Sequence, residues 1–329
     1  MSSSNVHKVA VSGFGEGTND LYDRARPSYP AEALSHIYNT IASSPSDTGN
    51  KQGWTILEPG SGTGIFSRLL IAPPQASPTV DGTESGYPSF PIQKLVGIEP
   101  SEGMRNVWKR GIDKLDPRIT KGAGKVLEAI DGSFDDFSGV EKLGIIKYSG
   151  KGKGQAEGES GSGVDAVIIA QAWHWCPDHE AALTEIASYL RPGSPLILIW
   201  NLEAFEPQWQ ADVRTAYQPY DLGSPQYYKG WWRKMFDTQA YKDLFEEKEE
   251  VGFKWDTGVS EDQLIDRLFS KSYLTSAHLP ADQRTELEAE IRRIIRQGEG
   301  GHEWVNREKG IFKFRYDTDV VVLRRRHNA

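Results

Sequence analysis

Gly60, Gly62 and Gly64 stand at alternate positions after the short apolar, β-favouring run Trp54-Thr55-Ile56-Leu57, and through them this chain could hold a nucleotide-like ligand. Glycine lets the backbone turn sharply and leaves its N–H groups bare of side chains. The next residues, Ile65-Phe66-Ser67-Arg68-Leu69-Leu70, repeat their apolar positions at helical spacing, so the free amides of a helix N-terminus would face the same loop. Glu58 and Ser61 belong to this loop as well. A plain tight turn has the same composition, so the loop needs support from other residues. Glu99 offers it: it ends the apolar run Lys94 to Ile98, where a carboxylate can accept two hydrogen bonds from a ribose-like diol, or can simply cap a helix facing solvent. His174 lies in Gln171-Ala172-Trp173-His174-Trp175. With an ordinary pKa of about 6.5 it can act as a base near neutrality, or it can shape a pocket between its two tryptophans.

The elements that must position these residues alternate. Strands are expected at Trp54–Leu57, Lys94–Ile98, Lys125–Ile130, Asp165–Ala170 and Pro195–Trp200, with helices after the glycine loop, after the capping Ser101, and from Asp178 to Leu190. Strand and helix in alternation predict a mostly parallel sheet with helices on both faces, and ligands of such sheets sit at the carboxyl ends of the strands. Every loop singled out is a carboxyl-end loop. Two tracts interrupt the pattern, Pro73 to Pro91 and Ser149 to Gly163, both of low complexity. Beyond Asn201 aromatic residues are scattered among polar ones, a strand is expected near 248–256, and helices at Glu261–Leu268 and Ala281–Ile295. The stretch Ile311 to Leu323 predicts two strands about a turn, an antiparallel hairpin at one edge of the sheet. The whole divides into an N-terminal lid (1–45), a ligand-binding core (46–200), a helical aromatic-rich cap (201–300) and a C-terminal hairpin (301–329), within a single domain.

Composition excludes several partners. The chain has 329 residues, a formal charge of −8 and a pI near 5.5, a field that repels a nucleic-acid backbone. One cysteine, Cys176, leaves no disulfide framework and no multi-cysteine metal site, so no metal is expected. The first residues lack the basic start and apolar core of a signal peptide, and no apolar run approaches the roughly 18 residues of a membrane span. A cytoplasmic protein acting on a small molecule, without nucleic-acid or membrane partners, is the expectation; oligomeric state is left open.

The loop reads Gly-x-Gly-x-Gly, one residue short of the dinucleotide fingerprint, and a carboxylate at Glu58 would repel a pyrophosphate while suiting a cationic or sulfonium ligand. The acid before the glycines, Glu99 after the second strand and the aromatic loop after the fourth resemble the class I S-adenosylmethionine-dependent methyltransferases, with their Rossmann-like sheet. Within them the chain is similar to the small-molecule branch that includes trans-aconitate methyltransferase and fungal secondary-metabolite enzymes. The similarity rests on Tyr22 to Pro30, Leu57 to Gly64, Val96 to Met104, Ala170 to Trp175 and the terminal strands. It implies S-adenosylmethionine as donor, S-adenosylhomocysteine as product, and a set of residue roles. Glu58, Gly60, Ser61, Gly62 and Gly64 would line the donor. Glu99 would hold the ribose, and Pro100 and Met104 would flank the adenine. Gly132, Ser133 and Phe134 would meet the adenine edge, and Gln171 and Ala172 the methionyl end. Tyr22 and Arg26 would reach down from the lid, or merely pack there.

For the acceptor, Trp173, His174, Trp175, Trp200, Tyr227, Tyr228, Trp231 and Trp232 would roof an apolar or aromatic molecule, or form the core of the cap itself. The aromatic content favours a secondary-metabolite or detoxifying role, with S-methylation of a thiol such as a reduced dithiol, dithiogliotoxin for example. O-methylation of a carboxylate such as trans-aconitate is the alternative, with Lys229 and Arg233 the basic residues at hand. A nicotinamide-dependent oxidoreductase and a non-catalytic methyltransferase-like binding protein are the rival readings. The signatures of protein-arginine and DNA amino-group methyltransferases are missing after the fourth strand.

Overall fold

The computed structural model of the protein describes residues 23, 25–44, 53–74, 86–148 and 163–327. Tyr22, residues 75–85 of the first low-complexity tract and residues 149–162 of the second therefore lie outside the described residues. The described chain forms one eight-stranded sheet. Its strands are β1 (Trp54–Pro59), β2 (Ile92–Ile98), β3 (Val126–Ile130), β4 (Ala166–Ala170), β5 (Pro195–Glu203), β6 (Glu249–Val259), β7 (Trp304–Asn306) and β8 (Ile311–Arg324). They run in the order β3-β2-β1-β4-β5-β8-β6, with β7 pairing on β8. The first five are parallel to one another; β8 is antiparallel to both β5 and β6. The strand order reverses between β1 and β4, the place where sheets of this kind open a crevice.

The helices that matter to the site are α1 (Ala31–Ala42), α2 (Ile65–Ile71), α3 (Glu102–Asp113), α4 (His179–Tyr189), α5 (Gln208–Tyr217), α6 (Gln239–Leu244), α7 (Glu261–Phe269) and α8 (Ala281–Gln297). Asp178 caps α4 by accepting from Ala181 N, and Ser101 caps α3 by accepting from Met104 N. Because side chains alternate along a strand, Ile56 and Leu57 feed two different cores on opposite faces of the sheet. Ile56 joins α1, α2 and Trp108; Leu57 joins α4, Trp173 and Trp200. A third core, built from α5, α7, α8 and the first half of β8, supports the cap. Burying each large apolar side chain in these cores contributes about 1.5–3 kcal/mol.

The terminal strands differ from expectation in one respect. Ile311 to Arg324 is a single uninterrupted strand inside the sheet, with no turn at Asp317-Thr318-Asp319, and β6 is the edge. Phe312, Phe314, Tyr316 and Thr318 are all buried, so the period-two alternation runs straight through the polar triplet. Thr318 is tied in place: its hydroxyl bonds Asn201 Oδ1 at 2.6 Å and accepts from Trp255 Nε1 at 2.8 Å. The turn-like composition is that of a polar seam across three strands.

Candidate active site

The loop after β1 is built on close approaches. Gly60 has φ +70° and donates its N–H to Ile98 O; a Cβ there would sit 2.5 Å from Ala172 Cβ. Gly64, at φ +81°, starts α2, and a Cβ on it would collide with the indole of Trp108. Gly60 and Gly62 line a cleft of about 1060 Å³, together with Ser61 and Thr63. Both of these hydroxyls are buried without a hydrogen-bond partner among the described residues, which suits a polar ligand. Gly64 does not line the cleft: it is the seat on which the helix and Trp108 pack.

Glu99 projects from the end of β2 into the same cleft and is 7% exposed. One carboxylate oxygen accepts from Gly62 N at 3.1 Å, the other from Ser101 N at 2.9 Å. Burial raises its pKa to about 6, against the pull of those two bonds, so it stays mostly ionised at neutral pH. Pro100, Met104, Ser133 and Phe134 form the wall beyond it. Gly132 packs inward instead, against Ile98 and the carbonyl of Asp136.

Glu58 lines the cleft too, but in a different state from the one its position suggests. It is 1% exposed and accepts from the Ser67 hydroxyl, which in turn accepts from Trp108 Nε1 at 2.6 Å. Burial raises its pKa to about 8, so the carboxyl is mainly neutral at pH 7 and neither repels nor attracts a charged ligand strongly. The negative charge of the cleft belongs to Glu99.

From β4 come Gln171 and Ala172. Gln171 holds φ +57°, unusual for a residue other than glycine, and its side chain donates to Asn201 O at 2.9 Å. Its neighbours Trp173, His174 and Trp175 form a 3₁₀ turn, which sends successive side chains in different directions. Trp173 turns away from the cleft, stacks on His179 and donates to Met235 Sδ at 3.0 Å. Trp175 lines the cleft and also a second chamber, where His174 lies. His174 Nδ1 accepts from Trp200 Nε1 at 3.2 Å, which assigns the imidazole as neutral with its proton on Nε2. Burial, with the charge of Arg26 adding to it, pushes its pKa down to about 3. In this state it lines the chamber as a neutral ring whose Nδ1 is already taken.

The second chamber, about 640 Å³, shares Arg26, Gln171, Trp175 and Asn201 with the cleft. Of the eight residues expected to roof an acceptor, His174, Trp175, Tyr227 and Tyr228 line it; Trp200 and Trp232 stack behind Tyr227 as core, and Trp231 is 50% exposed. Lys229 pairs with Asp221 at 2.7 Å and Arg233 with Glu250 at 2.6 Å, so those two cations are engaged away from the chamber. The charges that do line it are Arg26, Glu203, Arg267 and Lys271. Sequence reasoning missed the last three. One signal was present: Leu264, Arg267, Leu268 and Lys271 fall at helical face spacing, so two cations stand on the buried stripe of α7 and its exit. Glu203 accepts from Lys271 Nζ at 2.9 Å and Tyr217 OH at 3.1 Å, and pairs with Arg267 Nη2 at 3.0 Å. Lys271 and Arg267 hold its pKa far below the ordinary range despite its burial. Burial brings the Lys271 ammonium down to about 7 even beside Glu203.

A protein of Anaeromyxobacter dehalogenans solved under the name of a type II methyltransferase superposes with a TM-score of 0.50, over 91% of this chain and 97% of that one, at 17% identity. The chain has the class I methyltransferase fold. In sequence, this methyltransferase-fold chain is similar to an uncharacterized methyltransferase of Mycobacterium bovis, 24% identical over 274 residues, 83% of this chain and 82% of that protein. An uncharacterized methyltransferase-like protein of Schizosaccharomyces pombe is 24% identical over 275 residues, 84% of this chain and 83% of that one. No family model matches. Among the described residues no helix is long and apolar enough to cross a membrane, and no group of three His, Cys, Asp or Glu side chains could hold a metal.

Proposed function

We propose that the chain is an S-adenosylmethionine-dependent methyltransferase acting on a small molecule, folded as a single domain with the donor in the glycine cleft and the acceptor in the chamber under the cap. The observation that carries this reading is the adjacency of the two spaces, which share Arg26, Gln171, Trp175 and Asn201 in their walls. The donor supplies a methyl group already activated on a sulfonium. The protein's work is therefore to align two reactants and exclude water.

Glu99 would accept the ribose hydroxyls, since each of its oxygens has a lone pair left after its bond to Gly62 or Ser101. Pro100 and Met104 would bracket the adenine, with Ser133 and Phe134 at its edge. Gln171 and Ala172 would stand at the methionyl end, and Arg26 above the boundary between the two spaces. His174, neutral and accepting from Trp200, would shape the acceptor chamber and take no proton. An acceptor that arrives already ionised, a thiolate or a carboxylate, suits such a site, because no base is then required.

Calorimetric titration with S-adenosylmethionine, S-adenosylhomocysteine and NAD tests the donor; binding of NAD alone would overturn the reading. Glu99→Ala is expected to weaken donor binding by about 1.5–3 kcal/mol through loss of charge-assisted bonds. An acceptor screen with labelled donor and mass detection, beginning with dithiols and small carboxylic acids, tests the transfer itself.

A further inference from the structure

Arg267, Lys271 and Glu203 meet in the chamber under the cap, with Arg26 at its boundary with the cleft. Arg267 is 4% exposed and Lys271 8%. A buried guanidinium is stable only where acceptors meet its N–H donors. Glu203 takes Lys271 and Arg267 on one oxygen and Tyr217 on the other. Arg267 still has donors to give: its Nε and Nη1 are buried and have no hydrogen-bond partner among the described residues.

We propose that this chamber is an anion site, anchoring the acceptor through a carboxylate held by Arg267 with Lys271 and Arg26 beside it. Calling the occupant the acceptor rests on the methyl-transfer reading; the anion site itself rests on the unmet donors of the buried Arg267. A guanidinium is the group best matched to a carboxylate, and it keeps its charge when buried. The fixed negative charge of Glu203, shared by the same two cations, disfavours a dianion such as phosphate more than a carboxylate. Tyr217, Tyr228 and Tyr273 supply planar walls for the rest of a small organic acid.

The full chain, saturated with S-adenosylhomocysteine so that the donor cleft is filled, is titrated calorimetrically with benzoate, phenylacetate and succinate, with the corresponding amides, and with inorganic phosphate. At least one carboxylate should bind about tenfold or more tightly than its amide, the weight of one charge-assisted bond. Arg267→Gln should abolish that preference. Arg267→Lys, which keeps the charge beside Glu203 and so protects the fold, should weaken the carboxylate about fivefold or more while leaving S-adenosylhomocysteine affinity within about twofold. Circular dichroism checks both variants. Equal binding of acid and amide, preference for phosphate, no binding by any carboxylate of the panel, or an unchanged affinity in Arg267→Lys would each overturn the proposal. Carboxylate binding by a protein that does not bind S-adenosylhomocysteine would leave the anion site standing and remove the methyl-transfer reading.

Discussion

At Glu58 the identity of the residue and its charge part company. Its folded pKa of about 8 lies above the ordinary 4.5, so the folded protein keeps a proton that the unfolded chain releases. Stability attributable to this group therefore falls as pH rises from about 4.5 to about 8, and the loss is complete above that. Glu58→Gln, a neutral isostere that can still accept from Ser67, should gain on the wild type progressively with pH, by up to on the order of 4 kcal/mol at pH 9. Denaturant unfolding from pH 5 to pH 9 measures it, and a difference that does not change with pH would contradict the burial argument. At His174 the expectation is of shape. His174→Asn can keep an acceptor for the Trp200 indole and should change the methylation rate little at any pH, whereas His174→Ala strands a buried N–H at a cost of about 1–3 kcal/mol. A rate inflection near pH 6.5 that vanishes in His174→Asn would restore the base.

The glycine loop acts as an element because three neighbours converge on it: the β4 loop through Ala172, the β2 loop through Glu99, and α3 through Trp108. Two of its glycines therefore do different work. Gly62 presents an amide to Glu99 at the ligand side, while Gly64 admits Trp108 on the core side. Gly64→Ala should destabilise the fold by about 1–3 kcal/mol, from the left-handed backbone and the displaced indole together, and weaken donor binding indirectly. Thermal unfolding and donor calorimetry on the same preparation separate the two effects; intact stability with lost binding would place Gly64 at the ligand instead.

Across the whole molecule, Glu203 joins the end of β5 to α5 through Tyr217 and to α7 and its exit through Arg267 and Lys271, and Arg214 Nη1 donates to its carbonyl at 2.7 Å. The network pins the cap to the sheet over the second chamber. Glu203→Gln would leave Arg267 buried without its counter-charge, with Lys271 driven further toward its neutral form, and should cost about 3–5 kcal/mol at pH 7. The depressed pKa sets the sign of the pH effect: the stabilisation is present above the ordinary carboxylate pKa near 4.5 and is lost as pH falls below it. Acid unfolding of the wild type should therefore be steeper than that of Glu203→Gln. Identical acid profiles would show that the cap is held by its apolar core alone.

The sequence by itself determined the parallel strands and one wall of the cleft. Short continuous apolar runs mark β1 to β5 and helical spacing marks their helices, and Gly60, Gly62 and Glu99 are legible because backbone freedom and a strand-end acid are local properties. What only the tertiary structure decided is everything that depends on neighbours distant in the chain. The neutral state of Glu58 and of His174 follows from burial, which no spacing reports. Asp317-Thr318-Asp319 reads as a turn until Asn201 and Trp255 are seen to satisfy Thr318 within the sheet. The second chamber owes its charge to Glu203, Arg267 and Lys271 meeting Arg26 across more than 170 residues of sequence. Local propensity specifies elements; charge balance and desolvation are set by which elements come together.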